Sequence, residues 1–210
     1  MLVNVLGIPG ILLAVYLGRF YFAIFVTVIC LLALGEFYRL SARRGASPRT
    51  WLGWAGCLAI AVFYYRGMES TIGPVNWQQT LMVLILLAAI LELFSGTENA
   101  MVNIAVTIAG IIYVPLLLGA LIVVRQIDLI DYGFSMRLTM SLFIAVWLCD
   151  SAAYAFGRKW GKKKILERVS PNKTVVGSTF GLITAVLVYV VMAESGFLSL
   201  SRNSHSFNTL

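Results

Sequence analysis

The sequence predicts an all-α, polytopic integral membrane protein of about seven transmembrane helices, and three observations carry that prediction. First, 60% of the 210 residues are hydrophobic and only 12% are charged, about half the charged share of a soluble domain. So few charges cannot cover so much apolar surface in water, and lipid is the better solvent. Second, the apolar residues come in runs near the roughly 20 residues that a helix needs to cross a bilayer. Third, eleven of the 16 Lys and Arg residues fall in two stretches, Arg39 to Arg49 and Arg158 to Lys173, as loops on the cytoplasmic side of a membrane do.

The spans follow in order. The first covers about Leu2 to Leu17, with Pro9 and Gly10 inside it, and the second Phe20 to Leu40. The third covers Trp51 to Tyr65, the fourth Leu81 to Phe94, and the fifth Met101 to Val124. The sixth covers Leu138 to Phe156 and the seventh Val175 to Ala193. All are read as helices, because an open strand in lipid leaves its backbone groups without partners. Residues 1–193 read as one transmembrane helical domain, and 194–210 as a polar, serine-rich tail without a folded element. Four spans separate the two basic loops, so both return to the same side. That side is the cytoplasm, which also receives the N-terminus and leaves the tail outside. The connections from Arg66 to Thr80 and from Arg125 to Arg137 carry mixed charge and read as solvated outer loops. The apolar start lacks the basic n-region of a cleaved signal peptide and reads as retained.

Composition also excludes function classes. The net charge is +7, but its concentration in two loops points to anionic headgroups, not to nucleic acid. Cys30, Cys57 and Cys149 lie inside apolar runs at no zinc or redox spacing, and read as small packed residues. His205, in the tail, is the sole histidine, so hydrolase or zinc chemistry needing an intramembrane histidine is excluded. Trp51, Trp54, Trp77 and Tyr64 stand near span ends, as interfacial anchors do.

Three features could carry chemistry. Asp150 lies inside the sixth span, where a carboxylate is costly and belongs in a polar cavity or beside a partner. Helical spacing puts Tyr154 and Arg158 on its face. The site would hold a metal ion or polar substrate; the simpler reading is an ion pair with Arg158 or a nearby lysine. The loop from Gly157 to Gly177 is the second feature. Lys162, Lys163 and Lys164 suit an anchor on anionic lipid. Ser170-Pro171-Asn172-Lys173-Thr174 suits more, because Pro171 and Asn172 form turns. Lys173 and Thr174 then precede a helix whose free N–H groups favour an anion. This is a phosphate cradle without the glycine spacing of a Walker loop. The third feature is a pair of acids near span ends. Glu36 pairs with Arg39 or Arg43, and Glu92 either reaches the interface or joins the polar cavity.

The run from Trp147 to Arg158, with Asp150-Ser151-Ala152-Ala153-Tyr154 and Gly157-Arg158, resembles a segment of the phosphatidate cytidylyltransferases (CDP-diacylglycerol synthases). Gly161-Lys162, Lys164-Ile165 and Ser170-Pro171-Asn172-Lys173-Thr174 resemble that family's Ser-Pro-x-Lys-Thr segment. Glu36-Phe37-Tyr38 and Gly110-Ile111-Ile112-Tyr113 resemble it more weakly, and the resemblance spans about residues 5 to 193. It implies a CTP-dependent nucleotidyltransferase that makes CDP-diacylglycerol and pyrophosphate from CTP and phosphatidate with Mg²⁺. Asp150 and Lys173 would then be catalytic, with Asp150 a candidate metal ligand. Ser151, Tyr154, Arg158, Ser170, Pro171, Asn172 and Thr174 would contact substrate. The implied partners are CTP, phosphatidate and membrane lipid, with no nucleic acid and with room for a homodimer. The implied location is the bacterial inner (cell) membrane.

Two departures qualify the resemblance. Val176 stands where the family pattern has Glu, and nothing after Ala193 resembles the family's long, Asp-rich closing signature. The chain therefore reads as C-terminally truncated relative to the family. The alternative is a catalytically inactive homologue acting as a membrane lipid-binding or assembly subunit. A polyprenol kinase would share the basic loop but not the Asp150 to Lys173 pair, and a transporter is not supported by the placement of Pro9 and Pro115.

Overall fold

A computed structural model describes residues 2–66, 77–95, 99–127, 133–167 and 170–198. They form α1 (Leu2–Leu17), α2 (Arg19–Ala42), α3 (Thr50–Arg66), α4 (Trp77–Leu93) and α5 (Ala100–Ile111). A π-helical turn over Ile112–Leu116 leads to α6 (Ala120–Val124). Then come α7 (Phe134–Trp160), β1 (Lys164–Leu166), β2 (Ser170–Thr174) and α8 (Val175–Glu194). Each expected span is helical. Among the described residues, four helical stretches are long and apolar enough to cross a membrane: α2, the continuous Ala100–Val124 stretch, α7 and α8. The chain is an all-α polytopic membrane protein. Its contacts divide it into two compact units, Met1–Gln126 and Ile127–Leu210.

The fifth span is interrupted where its sequence demands it. Pro115 cannot donate a backbone hydrogen bond, and one widened turn accommodates it. The Tyr64 hydroxyl donates to the Leu116 carbonyl at 2.9 Å, which supplies a polar partner beside the break. Tyr64 is thus an internal brace, not the interfacial anchor its position suggested. Trp51 and Trp54 are exposed as anchors should be, and the Trp77 side chain lies outside the described residues.

The first unit packs around Tyr38, which is 1% exposed. Its hydroxyl donates to the Thr107 carbonyl at 2.8 Å. A side-chain carbon at Gly53 or Gly110 would overlap the tyrosine, so only glycine lets α3 and α5 close on α2 there. Phe37, beside it, meets Tyr113 at a ring separation of 6.3 Å. The two weaker resembling segments are therefore two halves of one contact. Leu52, Ile60, Leu84, Ala88 and Ile111 form an adjoining apolar core.

Polar groups tie the same end together. Glu92, 2% exposed, accepts from Arg49 Nε at 3.1 Å and from Asn103 Nδ2 at 2.6 Å. Asn103 Oδ1 accepts from the Ser47 N–H, and Thr107 Oγ1 from the Arg49 N–H. Glu92 was expected either to reach the interface or to join the polar cavity of Asp150; it is instead buried with Arg49 and Asn103 inside the first unit, because α4 ends against the turn between α2 and α3. Glu36 pairs with Arg39 as expected.

Two expectations are corrected. Arg125 is not solvated: it is 6% exposed, and its guanidinium donates twice to the Val15 carbonyl, at 3.2 and 3.0 Å. That carbonyl lies in the last turn of α1, where such groups lack intrahelical partners. The loop from Gly157 to Gly177 is also largely regular, since α7 runs on to Trp160 and a hairpin follows. The connection 67–76, Asp128, Asp131, Arg168 and the tail 199–210 with His205 lie outside the described residues, while 195–198 form a turn after α8.

Gly110→Val should strain the Tyr38 contact and destabilise the chain by about 1–3 kcal/mol. Tyr38→Phe, which loses only the bond to Thr107, should cost about 1 kcal/mol. Thermal unfolding of the detergent-solubilised protein should rank parent above Tyr38→Phe above Gly110→Val; equal stability of all three would contradict the packing described.

Candidate functional site

The second unit holds every residue expected to act in the site, and a seam of small residues builds it. On α7, Cys149, Ala153 and Gly157 recur every four residues and share one face, and Gly161 follows as the cap of the helix. On α8, Gly177 and Gly181 share one face in the same way. A side-chain carbon at Gly177 would lie 3.1 Å from the Gly157 Cα, and one at Gly181 would lie 3.2 Å from the Cys149 sulfur. Such small-residue spacing lets membrane helices approach backbone to backbone, gaining van der Waals contact where lipid gives no hydrophobic drive. Phe156 stacks on Phe180 beside the seam, with ring centroids 4.3 Å apart.

Thr174 locks the end of the seam. It is 5% exposed, and its hydroxyl accepts from the Gly177 N–H at 3.2 Å. This is an N-cap, satisfying one of the first-turn donors of α8. The same hydroxyl fills the notch left by Gly157, where a side-chain carbon would sit 2.9 Å away. The glycines read as loop punctuation are therefore packing residues.

The hairpin between the helices is antiparallel, with Lys164 opposite Thr174 and Leu166 opposite Ser170. Pro171 and Asn172 were expected to turn the chain but lie in β2. A proline fits there because a two-stranded sheet has only edge strands, whose outward N–H groups need no ladder partner. Ser170 is half-buried, and Pro171, Asn172 and Lys173 are exposed. The alternation of a strand turns Lys173 away from the face that buries Thr174.

Asp150, Ser151, Tyr154 and Arg158 are exposed along α7, about 100° around the helix from the seam residues for Asp150, Tyr154 and Arg158. Arg158 Nη1 donates to the Tyr154 hydroxyl at 3.1 Å, which orients the guanidinium. The expected ion pair of Asp150 with Arg158 does not form, and among the described residues nothing pairs with Asp150. Asp150 stands two helical turns, about 10 Å along the axis, from the Gly157–Thr174 contact. No hydrogen bond or ion pair joins it to Lys173 among the described residues.

The same end of the unit is strongly basic. Arg158, Lys159, Lys162, Lys163, Lys164 and Lys173 are all exposed, and none makes an ion pair among the described residues. Lys159 lies 5.0 Å from the Trp160 ring centre. Such a cluster can neutralise several phosphate charges at once. Among the described residues no three His, Cys, Asp or Glu side chains converge on a metal position. Asp150 alone still fits Mg²⁺, which commonly takes one or two protein carboxylates and fills its other positions with water and substrate phosphates. Val176 is the second residue of α8, and the first turn of that helix holds no acid.

The residues missed by sequence reasoning are the seam partners Cys149, Ala153 and Gly181 and, in the first unit, Asn103 and Thr107. A four-residue recurrence signalled each group.

The sequence profile of the cytidylyltransferase family matches residues 1–201. A 50-residue stretch is 52% identical to the phosphatidate cytidylyltransferase of Staphylococcus saprophyticus, covering 24% of this chain and 19% of that protein. A 57-residue stretch is 44% identical to the Staphylococcus epidermidis protein of the same name, covering 27% and 22%. A 67-residue stretch is 40% identical to the Haemophilus influenzae one, covering 32% and 22%. The matched stretches thus span about a fifth of the length of these curated relatives.

Thr174→Val should remove the cap and cost about 1 kcal/mol, with faster amide hydrogen exchange in the first turn of α8. Thr174→Ser should keep both near the parent. Equal exchange in all three proteins would contradict the cap.

Proposed function

Since the chain belongs to the cytidylyltransferase family, we propose that it converts CTP and phosphatidate into CDP-diacylglycerol and pyrophosphate for phospholipid synthesis. A phosphate oxygen of phosphatidate attacks the α-phosphorus of CTP. The bond from that phosphorus to the oxygen bridging to the β-phosphorus breaks, and pyrophosphate leaves with the electron pair. Both reactants are anionic, so catalysis rests on alignment and on fixed positive charge. The observation that supports this reading is the basic hairpin held at one end of two apolar helices, in the stretch carrying the resembling motifs.

In this proposal Lys173 contacts a phosphate of the nucleotide. Thr174 fixes the strand-to-helix junction through its cap, so that the Lys173 backbone is rigid. Arg158, oriented by Tyr154, neutralises a second phosphate group. Ser151, Ser170, Pro171 and Asn172 line the path of the substrate. Asp150 orients a lysine or holds Mg²⁺, and that ion would add positive charge at the nucleotide phosphates. The two basic stretches and the N-terminus face the cytoplasm of a bacterial cell, where CTP is available.

A second reading is favoured by Val176, which leaves the start of α8 without a carboxylate. The chain would then bind lipid or assemble with a second copy or a homologue without turning over. The experiment is CTP-dependent formation of CDP-diacylglycerol by membranes expressing only this chain, with Mg²⁺ and phosphatidate, in a host whose own enzyme is switched off. Product should form, and Lys173→Ala and Asp150→Asn should each lower it by roughly 100-fold or more at normal protein levels. Full activity in both variants would remove their roles. No product from the inserted parent chain would favour the second reading.

A further inference from the structure

The first unit carries a groove that nothing in the nucleotide chemistry uses. It has a volume of about 410 Å³ and is lined by the end of α2 (Gly35, Tyr38, Arg39), by the basic turn, and by Arg49 and Thr50 at the start of α3. It lies where two apolar helices meet the connecting turn.

Its charges are unevenly balanced. Arg49 Nε is committed to Glu92, which is 2% exposed. The Arg49 side chain is one-third exposed, and among the described residues its terminal Nη groups have no acceptor. The buried carboxylate therefore acts as a stay. It holds a guanidinium at the groove with its outer edge still able to donate. Arg39 lines the groove too, and its partner Glu36 is about half exposed. Arg43 and Arg44 lie exposed on the same turn. Two arginines held at one cavity, one of them by a buried acid, are the arrangement that binds a phosphate group in two-pronged fashion.

We propose that this groove binds a phosphate group, that of a lipid headgroup, through Arg39 and Arg49. It lies wholly within the first unit, and its occupancy requires no catalytic turnover. A lipid source is favoured because Trp51 and Trp54, on the first turns of α3, are exposed, as side chains seated among headgroups are. Bound lipid would join α2 to α3 from outside, beside the internal tie made by Glu92.

The test uses the full chain in neutral detergent, with tryptophan fluorescence read during titration. The probes are dioctanoyl phosphatidylglycerol, an anionic lipid phosphate that is not the proposed substrate, dioctanoyl phosphatidylcholine and inorganic phosphate. Phosphatidylglycerol should bind saturably and more tightly than phosphatidylcholine, and Arg39→Gln should weaken it roughly ten-fold. Arg49→Gln should do at least as much if it keeps the parent's circular dichroism; if it does not fold, Arg39→Gln decides. Arg66→Gln, which removes the same charge at the other end of α3, should bind like the parent. Inorganic phosphate binding as tightly as phosphatidylglycerol, with the same arginine dependence, would support the phosphate site but overturn its assignment to lipid. Phosphatidylglycerol binding unaffected by Arg39→Gln, or lowered equally by Arg66→Gln, would overturn the site.

Discussion

The close approach of α7 and α8 is the contact on which the second unit depends. Lipid offers helices no hydrophobic reason to associate, so they are held by surfaces that fit. Gly157, Gly177 and Gly181 remove the side chains that would keep the backbones apart, and Thr174 puts a hydroxyl into the space they leave. That hydroxyl also ends the strand and begins the helix. One residue thus caps α8, closes the seam against Gly157 and pairs with Lys164 in the hairpin. The exposed stripe of Asp150, Tyr154 and Arg158 inherits its position from the same helix, one residue along from the packing face.

The first unit solves the same packing problem with a large side chain. Tyr38 enters a slot between Gly53 and Gly110, and its hydroxyl reaches the Thr107 carbonyl. The end of this unit is then tied by Glu92, Arg49 and Asn103. A buried ion pair of this kind contributes little net stability once desolvation is counted, but it penalises any arrangement that separates its partners. It fixes where the basic turn sits relative to α4 and α5. Arg49 in the first unit and Arg158 in the second are each oriented by a hydrogen-bond partner, Glu92 and Tyr154.

The helices were legible in the sequence because apolar runs of membrane length have few other fates. Cap and packing chemistry was only partly legible. Thr174 was placed before a helix as the hydroxyl of a phosphate cradle, whereas the structure buries it and gives that hydroxyl to the cap of α8. Gly157 was misread because glycine marks a loop end and a helix seam equally well, and only the partner glycines on α8 separate the two. Pro171 was read as a turn because proline forms turns more often than it occupies strands, whereas a two-stranded edge tolerates it. Arg125 was read as solvated because charge at a span end usually is. Its burial depends on a carbonyl at the end of α1, 110 residues earlier, which no local pattern can indicate. Glu36-Phe37-Tyr38 and Gly110 to Tyr113 were each weak as motifs, and their meaning lies in the contact between them.

In the proposed function the α7–α8 unit receives the phosphates of CTP, and photo-crosslinking with an azido-cytidine triphosphate, followed by peptide mass spectrometry of the membrane-inserted chain, tests this. Adducts should be confined to residues 150–177, suppressed by excess CTP and lost in Lys173→Ala. Adducts that CTP does not suppress, or that fall in the first unit and persist in Lys173→Ala, would rule it out.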